Sequence, residues 1–351
     1  MDLQPIVLRG VLHETIWGGQ DLAKVAGKTL PANALVGESW ETALDSVATN
    51  PPYVGMTLGA ITTSLGVRLY GTRAQEICGD RFPLLAKFID AHAWLSVQVH
   101  PDDAYAQTHE RGKLGKTEAW RILSATPNAE IIHGFARSTY RAEVEEAIHA
   151  TKLESLVTKV PVKTGDVVLN LAGTLHATGA GIVFYEIQEY SDVTYRLYDF
   201  GRVGADGKQR ELHVEKSLDV VNYTPLARHI AVPISLDPDH FGQPATDGTL
   251  RLLVAARHFA MAEAHLSAGQ RLESGTDGSS CHIISMIAGN ALLSPSNGVG
   301  VSIPLPLGQT VVVPAEPTGY VLHSDAGARA LISWVPDTGD ESLTAWTAAQ
   351  A

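Results

Sequence analysis

The sequence predicts a mainly β protein of two jelly-roll barrels with one small helical segment. Three observations carry that expectation. Short runs rich in β-branched and aromatic residues recur along the 351 residues, punctuated by Gly, Pro, Asn and Asp. Only one stretch holds a clear helical period, so strands and helices do not alternate as a doubly wound sheet requires. Finally, GDVVLNLAGTLH (165–176) and GQTVVVPAEPTG (308–319) share a rhythm of Gly, five strand residues and a turn, which reads as one barrel strand occurring twice.

In chain order, strands are expected at WLSVQVH (94–100), DVVLNL (166–171), IVFYEIQEY (182–190), VTYRLYDF (193–200), HIISMIAG (282–289) and TVVVP (310–314). The helical segment is placed at 138–157, capped by Ser138 or Thr139, where Val144, Ala147, Ile148, Leu153, Leu156 and Val157 follow a 3.6-residue period. Weaker helical patterns lie near 71–79 and 214–222. A seam rich in Pro and turn residues around 223–250 divides the chain into expected domains 1–225 and 226–351.

Composition excludes several function classes. The net charge is −12 and the basic residues are scattered, whereas nucleic-acid binding needs a concentrated positive surface. No apolar run approaches the ~20 residues that span a bilayer. Cys78 and Cys281 are the only cysteines and form no CxxC pattern, so thiolate metal ligation is not expected. That count, and an N-terminus without a basic stretch followed by an apolar one, give the cytoplasm as the expected compartment. An acidic protein that binds an anionic metabolite must gather positive charge in one pocket.

Three segments hold candidate ligands for such a pocket. Alternation along WLSVQVH puts Leu95, Val97 and Val99 on one face and Trp94, Ser96, Gln98 and His100 on the other. Gln98 and His100 then project side by side, although this segment alone fits an ordinary half-solvated strand better than a ligand pair. In GKTEAW (115–120), Glu118 opens an apolar stretch and Lys116 lies two residues earlier. Gly165, Gly173 and His176 in the third segment resemble the second metal-binding motif of cupins, with Leu171 where that motif has proline. Read as a plain turn histidine, His176 would sit at a barrel rim. The corresponding position of the second repeat is Gly319, so the ligand set belongs to the first half. Together Gln98, His100, Glu118 and His176 suit Zn²⁺, with Gln as a less common oxygen donor.

FPLLAKFIDAHAWLSVQVHPDD (82–103), GKTEAW, GTLHATGAGIVFYEIQEYSDVTYRLYDFGR (173–202) and RELHVEKSLDV (210–220) resemble the type I mannose-6-phosphate isomerases of the short bacterial kind. WGG (17–19) and GESWE (37–41) fit the same family, and beyond about 225 the likeness is to a second cupin-like domain. The resemblance implies a Zn²⁺-dependent interconversion of mannose 6-phosphate and fructose 6-phosphate through a cis-enediol, with a phosphosugar as the only implied partner. It puts the metal ligands on the same four residues and the catalytic Arg on Arg196, with Lys116 beside the Glu ligand. Lys87 and Ser96 match positions near the substrate phosphate. Other readings on the same scaffold are an isomerase of a related aldose and a non-catalytic sugar-binding cupin.

Overall fold

The structure is a computed structural model and describes residues 3–203, 207–236, 248–337 and 339–350. Part of the expected seam, 237–247, therefore lies outside the described residues. The protein is mainly β, as expected, and among the described residues its strands form four sheets of eight, six, five and four strands. They pack face to face as jelly rolls do, rather than closing into continuous hydrogen-bonded barrels.

In the first half the six-stranded sheet runs in the order Val167–Asn170, Glu118–Ala125, Ile182–Glu189, Leu84–Ala91, Val36–Trp40, Val11–Gly19. Opposite it lie Tyr195–Tyr198, Val97–Val99, His176–Thr178, Glu130–Phe135 and Val157–Pro161. Trp17, Ile89, Leu95, Trp120, Ile131 and Phe184 are buried as one apolar cluster, which forms a floor between the two sheets. The outer face of the six-stranded sheet is apolar too, and Phe88, Tyr185 and Ile187 pack in one core with Leu252, Met261 and Ile332 of the eight-stranded sheet. A sheet buried on both faces reads as continuous hydrophobic residues, which is why Leu84–Ala91 and Ile182–Glu189 are buried at every position.

The two halves are also joined through the backbone. Strand Ile6–Arg9 pairs antiparallel with Thr310–Val313, so the beginning of the chain completes a sheet made otherwise of the second half and Val47–Ala48. Arg121 Nε reaches across to Glu263 Oε2 at 2.7 Å.

The helical segment is shorter than the period suggested. It runs Arg141–His149, a 3₁₀ turn follows at Leu153–Ser155, and Val157–Pro161 is a strand. Thr151 adopts φ +57° and ends the helix. Leu153, Leu156 and Val157 still join Val144 in one core, so the apolar spacing found the right partners in a different conformation. Tyr140, not Ser138 or Thr139, occupies the N-cap, and the Thr139 hydroxyl donates to Glu143 instead. The 71–79 and 214–222 patterns appear as helices Thr72–Cys78 and Val214–Val220. Leu58–Leu65, capped by Thr57, was not anticipated. Gly71 separates two short helices at φ +97°, where a Cβ would lie 2.2 Å from the Ser279 carbonyl oxygen.

Candidate active site

Strand register assembles the site. Residues directly opposite in neighbouring antiparallel strands share a face. Arg196 is opposite Gln98, Gln98 opposite His176, and His176 opposite His133, so these four lie abreast on the inner face of the five-stranded sheet. On the facing sheet Glu118 is opposite Asn170, and one step along the same face Trp120, Glu186, Lys87 and Trp40 lie abreast. A polar layer thus sits above the apolar floor.

Both imidazoles are oriented from behind. His100 Nδ1 lies 2.9 Å from the Val193 carbonyl oxygen, and His176 Nδ1 lies 2.9 Å from that of Thr174. A carbonyl only accepts, so each Nδ1 carries a hydrogen, and in the neutral ring that tautomer leaves the lone pair on Nε2. Those Nε2 atoms are 3.4 and 3.3 Å from the two oxygens of Glu118. Gln98 Nε2 is 3.3 Å from His176 Nε2, and rotating the amide presents its oxygen at the same place. Lys116 Nζ lies 2.6 Å from Glu118 Oε2 and 3.2 Å from His100 Nε2.

The electrostatics match the geometry. Burial pushes the Glu118 carboxyl up, but Lys116, His100 and His176 outweigh it and hold it well below the usual carboxylate range. Burial, with Lys116 adding to it, pushes His100 down to about 3. The site therefore presents an anionic carboxylate and a neutral imidazole, the states a metal ion requires of its ligands. His100, Glu118 and His176 place one ligand atom each within 4.8 Å of one another, all three buried. This donor set fits a divalent ion.

The remaining expected residues surround this group. Arg196 is fixed by the RELHVEK segment, since its backbone N donates to His213 Nδ1 at 3.1 Å and its Nη1 to the Glu211 carbonyl at 2.8 Å. Its Nε is buried and has no hydrogen-bond partner among the described residues. Lys87 Nζ lies 3.3 Å from Glu186 Oε1, 3.5 Å from Glu38 Oε2 and 4.6 Å from the Trp40 ring centre. Among the described residues no hydrogen bond or ion pair joins Lys87 or Ser96 to the four ligands, although Glu118 acts on Lys87 through space. Ser96 is buried, two residues before Gln98.

Sequence reasoning missed Glu186 and Glu38. Burial and then Glu118 push the Glu186 carboxyl up, while its Oε2 accepts from Trp120 Nε1 at 2.9 Å. Burial pushes the Glu38 carboxyl up, but Lys87, the hydrogen bond from Trp40 Nε1 and Lys116 together outweigh it and hold it below its ordinary value. The available signal was alternation: in IVFYEIQEY, Glu186 and Gln188 share a face.

Residues 6–146 match the family described as phosphomannose isomerase type I, catalytic domain. The chain is 42% identical over 222 residues to a mannose-6-phosphate isomerase of Streptococcus mutans, covering 62% of this chain and 68% of that one. A putative mannose-6-phosphate isomerase of Bacillus subtilis, YvyI, is 32% identical over 330 residues, 92% of this chain and 96% of that one. This chain belongs to the type I phosphomannose isomerases. The crystal structure of the Bacillus subtilis mannose 6-phosphate isomerase superposes with a TM-score of 0.79 at 30% identity, covering 95% of this chain and 99% of that one. Of the candidate site residues, Lys87, Ser96, Gln98, His100, Lys116 and Glu118 fall inside the matched segment, while His176 and Arg196 lie beyond it.

Proposed function

We infer that this chain interconverts mannose 6-phosphate and fructose 6-phosphate, moving a proton between C1 and C2 through a cis-enediol. The observation that carries the reading is the buried His100–Glu118–His176 group, with its two Nδ1 atoms tied to backbone carbonyls, in a chain of this family.

Gln98, His100, Glu118 and His176 would hold Zn²⁺, which suits nitrogen and oxygen donors of this kind. When bound, the ion supplies Lewis acidity toward the sugar oxygens. Arg196, with its buried and unpartnered Nε, orients those oxygens and stabilises the charge of the enediolate. Lys116, already within hydrogen-bonding distance of His100 and Glu118, carries the proton between O1 and O2. Lys87 and Ser96 bind the phosphate and anchor the far end of the substrate, so that binding energy positions the reacting carbons. The apolar floor of Trp120, Ile122 and Phe184 keeps bulk water from that side.

We assign residues 1–225 to the catalytic domain and 226–351 to a second cupin-like domain without metal ligands. Gly319, the counterpart of His176, supports this, since a Cβ there would lie 2.1 Å from Ser296 Oγ. The two free, buried cysteines fit a cytoplasmic setting. A coupled assay of purified protein tests the function. Mannose 6-phosphate should turn over where mannose and glucose 6-phosphate do not, chelation should abolish the activity, and Zn²⁺ should restore it. Full activity in metal-free protein would refute the assignment.

A further inference from the structure

We propose that His258, at a hairpin tip of the second half, is a positioning residue that clamps the loop 115–117 and thereby sets Lys116. The proposal rests on the isomerase reading above for the reaction that Lys116 serves. His258 lies in the turn between strands Thr249–Ala255 and Ala260–Leu266, closed by a 2.8 Å hydrogen bond from Ala256 N to the Phe259 carbonyl. Its two ring nitrogens engage two carboxylates of the first half. Nε2 is 3.2 Å from Asp103 Oδ2 and Nδ1 is 3.2 Å from Glu189 Oε1.

Each carboxylate also accepts an amide of the loop. Gly115 N donates to Asp103 Oδ1 at 2.8 Å, and Thr117 N donates to Glu189 Oε1 at 2.7 Å. Between them Lys116 N donates to the Pro101 carbonyl at 3.0 Å, so three consecutive amides are held. The loop has no slack, because a Cβ on Gly115 would lie 2.5 Å from the backbone of Asp102 and Asp103. His258, Asp103 and Glu189 are close enough together to bind an ion. Their polar atoms are instead directed at one another and at the loop amides, which makes the group a clamp.

The consequence is specific. Releasing His258 frees the two carboxylates to shift, and Lys116 moves relative to Glu118 and His100, while Lys87, held by Glu186 and Glu38, makes no hydrogen bond or ion pair with the clamp among the described residues. Turnover should fall and substrate binding should not. Misplacing a catalytic group by about 1 Å costs on the order of 100-fold.

The test is steady-state kinetics, zinc content and amide hydrogen exchange on full-length His258→Ala, Glu189→Ala, their double variant and Glu189→Gln. In His258→Ala, kcat should fall roughly 10- to 100-fold, with KM for mannose 6-phosphate and zinc per chain unchanged and faster exchange at residues 115–117. Glu189→Ala should match it, the double variant should lose no more than either single one, and Glu189→Gln, which keeps an acceptor for Thr117 N, should retain most of the turnover. His258→Gln replaces His258→Ala if the latter does not fold. Wild-type kcat with wild-type protection at 115–117, or losses that multiply in the double variant, would overturn the clamp. An inactive wild-type protein would defeat the isomerase reading instead, and exchange at 115–117 would still decide the clamp.

Discussion

Replacing Glu118 by Gln should destabilise the protein even when no metal is present. Glu118 is fully buried, and its partner Lys116, at 2.6 Å, has a side chain only 6% exposed. The substitution leaves the ammonium buried with its counter-charge gone. Breaking a buried pair from one side costs about 3–5 kcal/mol, far more than the pair contributes relative to an apolar replacement. An unfolding entropy of about 2.1 cal/mol/K per residue makes this a fall in Tm of roughly 4–7 °C for a chain of this length. Thermal melts in excess chelator are the assay, because they remove ion binding from the comparison. Adding Lys116→Met to Glu118→Gln should recover most of the loss, since no unpaired charge remains. A single variant that melts within about 1 °C of wild type, or a double variant no better than the single one, would refute the reasoning.

Arg196→Ala should keep its zinc, measured by metal analysis, and lose turnover by on the order of 100-fold; loss of the metal would make Arg196 a structural residue. Lys87→Met should raise KM for mannose 6-phosphate roughly tenfold or more, with a smaller change in kcat, as expected for a charged hydrogen bond to the remote phosphate. Acid should weaken the fold in a set window. Burial pushes His282 down to about 4, against an ordinary 6.5. The unfolded chain therefore takes up that proton first, and stability is full above about pH 6.5 and lost as pH falls toward 4. Urea melts of His282→Gln should show a flatter acid limb, by up to about 3 kcal/mol.

The grouping of Gln98, His100, Glu118 and His176 was legible because it depends on short-range geometry. Gln98 and His100 share a face by alternation alone, and the GKTE and GTLH turns each fix one further ligand locally. What escaped depends on register between distant strands. That Glu186 lies beside Trp120 and Lys87 follows from pairings spanning 66 and 99 residues of chain, which no local pattern specifies. The same holds for Ile6–Arg9, whose partner Thr310–Val313 lies at the other end of the chain. His258 in ARHF gives no sign of itself, because it acts through two carboxylates of the other half. The period over 138–157 misled for a different reason: Leu156 and Val157 are apolar because they enter the same core, and a left-handed Thr151 lets the chain reach it as a turn and a strand.

Charge explains why the missed residues belong to the site. Lys116 and Lys87 bring two positive charges, and Glu118 and Glu38 bring two negative ones, all buried or nearly so. Glu186 would add a third negative charge, but burial and Glu118 push its carboxyl up, which favours the neutral form. The charges of Lys116 and Lys87 and those of Glu118 and Glu38 therefore cancel, which offsets part of the desolvation cost of burying them, and Arg196 adds one further positive charge. A divalent ion added to this set leaves the pocket positive by the ion's own charge and that of Arg196. In a chain of net charge −12, that local excess would draw a phosphorylated sugar to this site rather than to the rest of the surface. On the proposed reaction the enediolate would form beside the same residues, so the charge that would bind the substrate would also favour the intermediate over the starting sugar.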